Sequence, residues 1–127
     1  MEISQLETVA KHEAGAEYNV LSPVDGSPTD VYITVMGPDS KAWRQAKKKQ
    51  TNQLITAKAL KKEHDLDFEK MDIDALSSVV IGWRGLVKDG KDYPANKKNV
   101  RSLLENSPSI VSQLLSFLGE AENFTKG

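Results

Sequence analysis

A regular apolar stripe between residues 107 and 121 constrains the fold more than any other feature of this sequence. Its apolar residues recur at spacings of three and four, which is the period of a helix with one buried face. Ser107 and Pro108 suit the N-cap and the first helical position of that helix. Because the apolar face must be covered, the rest of the chain has to supply a core for it. The stripe consists of Ile110, Val111, Leu114, Leu115, Leu118 and Ala121.

A second, longer helix is predicted from Asp39 to about His64, where strong helix formers occur without Gly or Pro. Asp39 or Ser40 is the expected N-cap. The apolar stripe of this helix is thin and is interrupted by polar residues near Gln50. So narrow a stripe predicts a helix that is partly exposed or that completes its burial on a partner. Its members are Trp43, Ala46, Leu54, Ala57 and Leu60.

Residues 1–38 are predicted to form a short helix and a β-hairpin. Ser4 and Glu7 have the spacing of a capping box, and Gly15 is expected to end the helix. Apolar residues alternate with other residues over 31–35, which predicts a strand with one buried face, and residues 18–21 are its expected partner. Because a lone hairpin is barely stable, it must pack on helices or pair with another chain.

Residues 81–96, IGWRGLVKDGKDYPAN, are interpreted as a rigid corner between two helices. The preceding helix is expected to begin at Asp72 or Asp74, and Asn96 caps the following one. The face of the preceding helix comprises Ile73, Leu76, Val80 and Trp83. Glycines supply backbone freedom at the corner, and a small-molecule site is the alternative interpretation. The structural corner comprises Gly82, Trp83, Gly90, Pro94 and Asn96.

Residues that could carry chemistry are sparse. The chain has no cysteine, which excludes disulfide and thiolate chemistry. Its two histidines, His12 and His64, lie in charged segments, and EHDLD at residues 63–67 lacks the spacing of a recognised metal site. The segment DLDFEKMDID lacks the glycine and the final glutamate of a calcium loop. We therefore expect no catalytic, metal-binding or cofactor-binding residue, no cofactor and no enzymatic activity.

Charge and hydropathy argue against two further classes of protein. The longest apolar run, at residues 79–81, is far too short to span a membrane. The net charge is −1, which is not typical of a nucleic-acid-binding protein. Lysines do cluster on the long helix, where a solvated face is the favoured interpretation and a nucleic-acid surface the alternative. They are Lys47, Lys48, Lys49, Lys58, Lys61 and Lys62.

The order of these features between residues 18 and 124 resembles the tail assembly chaperones of long-tailed, siphophage-type bacteriophages. Shared features are a Gly-Trp pair, an Asp-Gly turn, a proline, an asparagine before a Leu-Leu pair, and Asn-Phe after the last helix. Here they are Gly82-Trp83, Asp89-Gly90, Pro94, Asn96 or Asn99, Leu103-Leu104 and Asn123-Phe124. Upstream, SPVDGSPTDVYITVMGPDSKAWR is similar to the opening of that family.

The resemblance implies binding instead of catalysis. Chaperones of this kind coat the helical tape measure protein before the tail tube polymerises around it. A longer, frameshifted form contacts the tail tube protein. The resemblance therefore predicts the tape measure protein as partner, self-association, a place in the cytoplasm of the infected bacterial host, and absence from the mature virion. A structural tail-completion component of the virion and a nucleic-acid-binding regulator are the alternatives.

The sequence thus predicts a mainly α, α+β fold in a single domain covering residues 1–127. The N-terminal helix and hairpin (1–38) pack on a bundle of about four helices (39–122), followed by a tail (123–127). Five residues are candidates for partner binding, and ordinary burial in the core is the alternative for each. They are Met36, Trp43, Leu54, Leu60 and Met71.

Overall fold

The computed structural model describes residues 1–125, and it confirms a mainly helical α+β fold. The helices are α1 (Val9–Ala14), α2 (Lys41–Ala59), α3 (Phe68–Ser77), α4 (Lys97–Glu105) and α5 (Pro108–Leu118). Short 3-10 helices lie at Ile3–Gln5, Glu63–Asp65 and Ala121–Phe124. The strands are β1 (Ala16–Leu21), β2 (Pro28–Val35), β3 (Val80–Arg84), β4 (Val87–Lys88) and β5 (Lys91–Asp92). The last two residues of the predicted tail, Lys126 and Gly127, lie outside the described residues.

The predicted hairpin is confirmed, and it is part of a larger sheet. Strands β1, β2 and β3 form an antiparallel sheet in that order. On the central strand, Ile33 stands opposite Tyr18 of β1 and Trp83 of β3. The outer edge of β2 is therefore paired with β3 of the same chain, and no other chain is needed to pair with that edge.

The predicted helix over residues 72–83 is wrong at both ends. Helix α3 begins earlier, because the Asp67 carboxylate caps it by accepting a hydrogen bond from the Lys70 amide at 3.0 Å. It ends at Ser77, and Val80–Arg84 is a strand. The spacing of Val80 and Trp83 from Leu76 matches a helix only by coincidence. A β-branched run followed by Gly82 favours a strand, and the open edge of β2 offers it hydrogen-bond partners.

The predicted N-terminal capping box is also wrong. Ser4 lies inside a 3-10 turn, and α1 begins only at Val9. The Gln5 side chain accepts a hydrogen bond from the Glu2 amide at 3.2 Å, so a different pair of residues closes that turn. The predicted end of the helix is confirmed, since Gly15 follows α1 with a φ of 82°.

The core lies between the sheet and helices α3, α4 and α5. Its fully buried side chains come from all of these elements and include Ile33, Val35, Leu76, Val79, Leu104 and Leu114. Phe124 closes the core at the end of the described chain, with its ring 5.4 Å from the His12 ring and 5.2 Å from the Phe117 ring.

Helix α2 is attached to this core mainly through its first turns. The Ser40 hydroxyl caps the helix by accepting a hydrogen bond from the Trp43 amide at 3.2 Å, and Trp43 is buried in the core. Farther along α2, Ala57 is buried, whereas Ile55 is 61% exposed. The expectation of a partly exposed long helix is therefore confirmed, although α2 ends at Ala59 instead of near His64.

Candidate functional site

A groove of about 730 Å³ lies between the second half of α2 and the segment that leads into α3. Polar residues in the middle of α2 prevent close apolar packing of the two helices. Instead, the Gln50 amide donates a hydrogen bond to the Met71 carbonyl oxygen at 2.8 Å. After α2 the chain turns at Lys61, which has a φ of 55°. Asp65, the last residue of the 3-10 helix Glu63–Asp65, lines the groove.

Aliphatic side chains lie among the residues that line this groove. They are Ala57, Leu60, Leu66 and Met71. Met71 and Ala57 are buried but do not belong to the main core cluster. Leu60 is 60% exposed although it is a large apolar residue. The groove therefore presents apolar surface that the chain itself leaves partly uncovered.

A smaller cavity of about 250 Å³ continues the groove along α2. The two cavities share Gln45, Lys49, Gln53, Met71 and Asp74 as lining residues. Together they extend from Ala42 to Leu60, which at 1.5 Å per residue is a length of about 27 Å. That is the length of a helix of about five turns.

The carboxylates that line the groove are already engaged within the chain. Asp67 caps α3, and Asp65 Oδ1 lies 3.2 Å from His64 Nε2. Asp74 Oδ1 lies 2.7 Å from Arg101 Nη2. The hydrogen bond that Arg101 donates to Asp74 raises the pKa of the arginine above its ordinary value.

The lysines that line the groove have no such partners. They are Lys48, Lys49, Lys62 and Lys70. Among residues 1–125, none of the four forms an ion pair with a carboxylate. The groove therefore combines aliphatic surface with charged side chains of both signs, four lysines and three aspartates.

The structure brings only some of the candidate partner-binding residues together. Leu60 and Met71 both line the groove. Leu54 is half-buried on α2 outside its lining. Trp43 belongs to the core and Met36 packs against it, which is the alternative that the sequence left open. Leu66 was missed, and its signal was a single apolar residue among the charges of EHDLD.

The residues assigned to the structural corner make intramolecular contacts. Trp83 packs partly buried against the core, donates from Nε1 to the Tyr93 carbonyl oxygen, and stacks on the Tyr93 ring at 5.8 Å. Asp89 and Gly90, with φ values of 53° and 78°, form the tight turn of the β4–β5 hairpin. Gly82 lies within β3 instead of ending a helix.

The end of the corner is built as the sequence predicts. The Asn96 side chain caps α4 by accepting a hydrogen bond from the Asn99 amide at 2.8 Å. In return, the Asn99 side chain donates to the Pro94 carbonyl oxygen at 2.9 Å. These two bonds fix the direction in which α4 leaves the corner.

The histidines have different surroundings. His12 is fully buried, and its Nδ1 accepts a hydrogen bond from the Asp39 amide at 2.8 Å. His64 is 77% exposed at its side chain. Within the described part of the chain, no three His, Asp or Glu residues are grouped so that they could hold a metal ion. No helix there is long and apolar enough to cross a membrane.

Changing Lys47, Lys48 and Lys49 together to Gln is expected to leave the protein folded. All three are exposed, and Lys47 Nζ lies 4.7 Å from the Trp43 ring centre, a contact of small energy at an exposed site. Each change should alter the free energy of unfolding by about 0.5 kcal/mol or less. A thermal melt checks this. DNA binding by the wild type that weakens with salt and disappears in the variant would contradict the solvated-face interpretation.

A family model described as YdaY prophage protein matches residues 38–127, which is more than half of the chain. The matched part includes both walls of the groove and the whole of α4 and α5, whereas β1 and β2 lie outside it. No curated protein and no solved structure matches the chain significantly.

Proposed function

We propose a role in tail assembly for this chain, which belongs to the YdaY prophage protein family and is therefore phage-derived. The proposed role is that of a non-enzymatic chaperone that binds helical segments of the tape measure protein in the cytoplasm of the infected host. The order of sequence features that resembles tail assembly chaperones supports this finer assignment.

The observation that carries the proposal is the groove between α2 and α3. Recognition of a helix in a groove needs apolar surface to receive the apolar stripe of the helix, and walls that run alongside it. The groove has aliphatic lining residues and is about 27 Å long, enough for a helix of about 18 residues. Met71 also suits a site that receives many different segments, since its unbranched side chain adapts to different neighbours.

We expect several copies of this chain to bind one tape measure chain. Each groove should bind a helical segment in the micromolar range, or about −8 kcal/mol. Self-association of the copies along one chain would link the sites and add avidity. The test is co-expression with tape measure fragments of increasing length, followed by size-exclusion chromatography with light scattering. The number of copies per fragment should rise with fragment length.

The variant that tests the role of the groove in this experiment is Leu60→Ala. Leu60 is mostly exposed, so the variant should fold, but it lacks a side chain that lines the groove. Fewer copies should co-elute with each fragment. A fixed one-to-one complex, or no complex with a fragment that is soluble alone, would contradict the chaperone proposal. Presence of the chain in purified virions would instead favour a structural tail component.

A further inference from the structure

We infer that Asp89, in the turn of the β4–β5 hairpin, is a site of spontaneous covalent modification at which aspartate is converted into isoaspartate. This reaction is independent of the proposed function. The chain contains two Asp-Gly pairs, Asp25-Gly26 and Asp89-Gly90. Such pairs are the most open to this reaction, because glycine has no side chain to hinder its own backbone nitrogen. The structure distinguishes the two pairs.

The reaction needs no enzyme, metal or oxidant. The backbone nitrogen of Gly90 attacks Cγ of Asp89, and the carboxyl group loses a hydroxyl that leaves with the amide proton as water. The resulting five-membered succinimide ring then takes up water. Hydrolysis of the new N–Cγ bond restores aspartate. Hydrolysis of the original peptide bond leaves the chain running through Cγ, which is isoaspartate of unchanged mass.

The reacting groups at Asp89 and Gly90 are not held by other parts of the protein. Among residues 1–125, the Gly90 amide donates no hydrogen bond, and the Asp89 carboxylate accepts none and forms no ion pair. Both residues are exposed, and a Cβ atom at Gly90 would meet nothing within 4 Å. The nucleophile and the carboxyl group are therefore both accessible.

The β4–β5 hairpin can open, which ring closure requires, because the Gly90 nitrogen must rotate toward Cγ about the Cα–C bond of Asp89. Strands β4 and β5 contain two residues each, and all four are exposed. So short a hairpin is marginally stable. Asp89 also has a φ of 53°, a conformation that residues with side chains rarely adopt. Opening of the turn therefore costs little free energy.

The pair at Asp25 is equally exposed but is held by hydrogen bonds. The Gly26 amide donates to the Ser22 carbonyl oxygen at 2.9 Å. Asp25 Oδ1 accepts from Ser27 Oγ at 2.7 Å and from the Ser27 amide at 3.0 Å. The hydrogen bond from the Ser27 side chain lowers the pKa of the Asp25 carboxyl group, so less of it is in the neutral form from which water leaves. Both reacting groups are therefore engaged at this pair.

Conversion at Asp89 changes the length of the hairpin loop. Isoaspartate adds a methylene group to the backbone of a turn whose two positive φ values match the twist of the flanking strands. The longer loop no longer places Lys88 opposite Lys91. Amide hydrogen exchange in β5 should therefore become faster in the converted chain.

The test follows isoaspartate in the full chain, kept folded in neutral buffer and sampled over weeks. Digestion and liquid chromatography with mass spectrometry separate isoaspartyl peptides, which keep their mass but change their retention time. We expect about tenfold more isoaspartate or better at residue 89 than at residue 25, since three hydrogen bonds must break only at the latter. In the same chain unfolded by urea, the two sites should react at similar rates.

Two variants separate the causes. Asp89→Gly keeps a residue that suits this turn but removes the carboxyl group, so its peptide should stay a single species. Ser27→Ala removes the Oγ atom that donates to Asp25. It should raise isoaspartate at residue 25 severalfold and leave the amount at residue 89 unchanged. Thermal melts of both variants verify that they fold.

Three results would overturn the inference. Equal amounts of isoaspartate at the two sites of the folded chain would show that the sequence alone decides the reaction. Absence of isoaspartate at residue 89 in the folded chain, with both sites reacting in urea, would show that the turn keeps the reacting atoms apart. An unchanged rate at residue 25 in Ser27→Ala would overturn the protection assigned to the hydrogen bonds.

Discussion

Replacing Leu114 by Ala is expected to lower the free energy of unfolding by about 3–5 kcal/mol. The Leu114 side chain is 0% exposed and lies where α5 meets the rest of the core. Its neighbours Ile33, Val100 and Leu104 belong to two different elements, β2 and α4, so they cannot all move together to fill the space. The cost should therefore include both lost burial and a cavity. Chemical denaturation followed by circular dichroism measures it.

Leu60→Ala is the matched control for this substitution. It removes the same atoms from a side chain that is 60% exposed, so the free energy of unfolding should change by about 1 kcal/mol or less. The two variants should also differ in binding, since only Leu60 lines the groove. A large stability loss from Leu60→Ala, or a small one from Leu114→Ala, would contradict the assignment of core and groove.

Replacing Gly37 by Ala is expected to destabilise the protein by about 3 kcal/mol, through overpacking and the loss of a hydrogen bond. A Cβ atom at Gly37 would lie 2.6 Å from His12 Nδ1 and 2.6 Å from Phe124 Cγ. Both side chains are buried, so neither can move away into solvent. Displacing the His12 ring would also break the bond in which its Nδ1 accepts from the Asp39 amide, just before α2.

Gly82→Ala provides the control for Gly37→Ala. A Cβ atom at Gly82 would meet nothing within 4 Å, and its φ is not positive. That change should be neutral or slightly stabilising, because it removes backbone freedom from the unfolded chain. Thermal melts of the two variants make the comparison. Equal melting temperatures would show that His12 and Phe124 are not packed around Gly37 as described.

Much of the chain has the secondary structure that its local signals predict. Ser40, Asn96 and Ser107-Pro108 stand at the starts of the helices predicted from them, and Gly15 stands at the end of one. The alternation over residues 31–35 predicts a strand that is present. These signals act over a few residues, since a cap or a turn is satisfied by its immediate neighbours.

The segment at Val80–Arg84 shows where local signals were insufficient. Its apolar residues continued the spacing of α3. The β-branched run at residues 79–81 favours a strand, but it did not by itself show that the helix ends at Ser77. The choice depended on the edge of β2, where Ile33 pairs with Trp83 across a long sequence separation. Pairing over such a distance leaves no periodic mark in the segment itself, so sequence periodicity could not reveal it.

The sequence by itself determined the helices with strong caps, the hairpin and the apolar stripe of α5, because each depends on interactions between residues close in the chain. It also supplied Leu60 and Met71 as candidates without showing that they share a site. The tertiary structure alone decided that β3 joins the sheet and that a groove remains between α2 and α3. Both follow from how distant segments pack, since Gln50 holds α2 to the Met71 backbone by a polar bond that leaves the aliphatic side chains nearby partly uncovered.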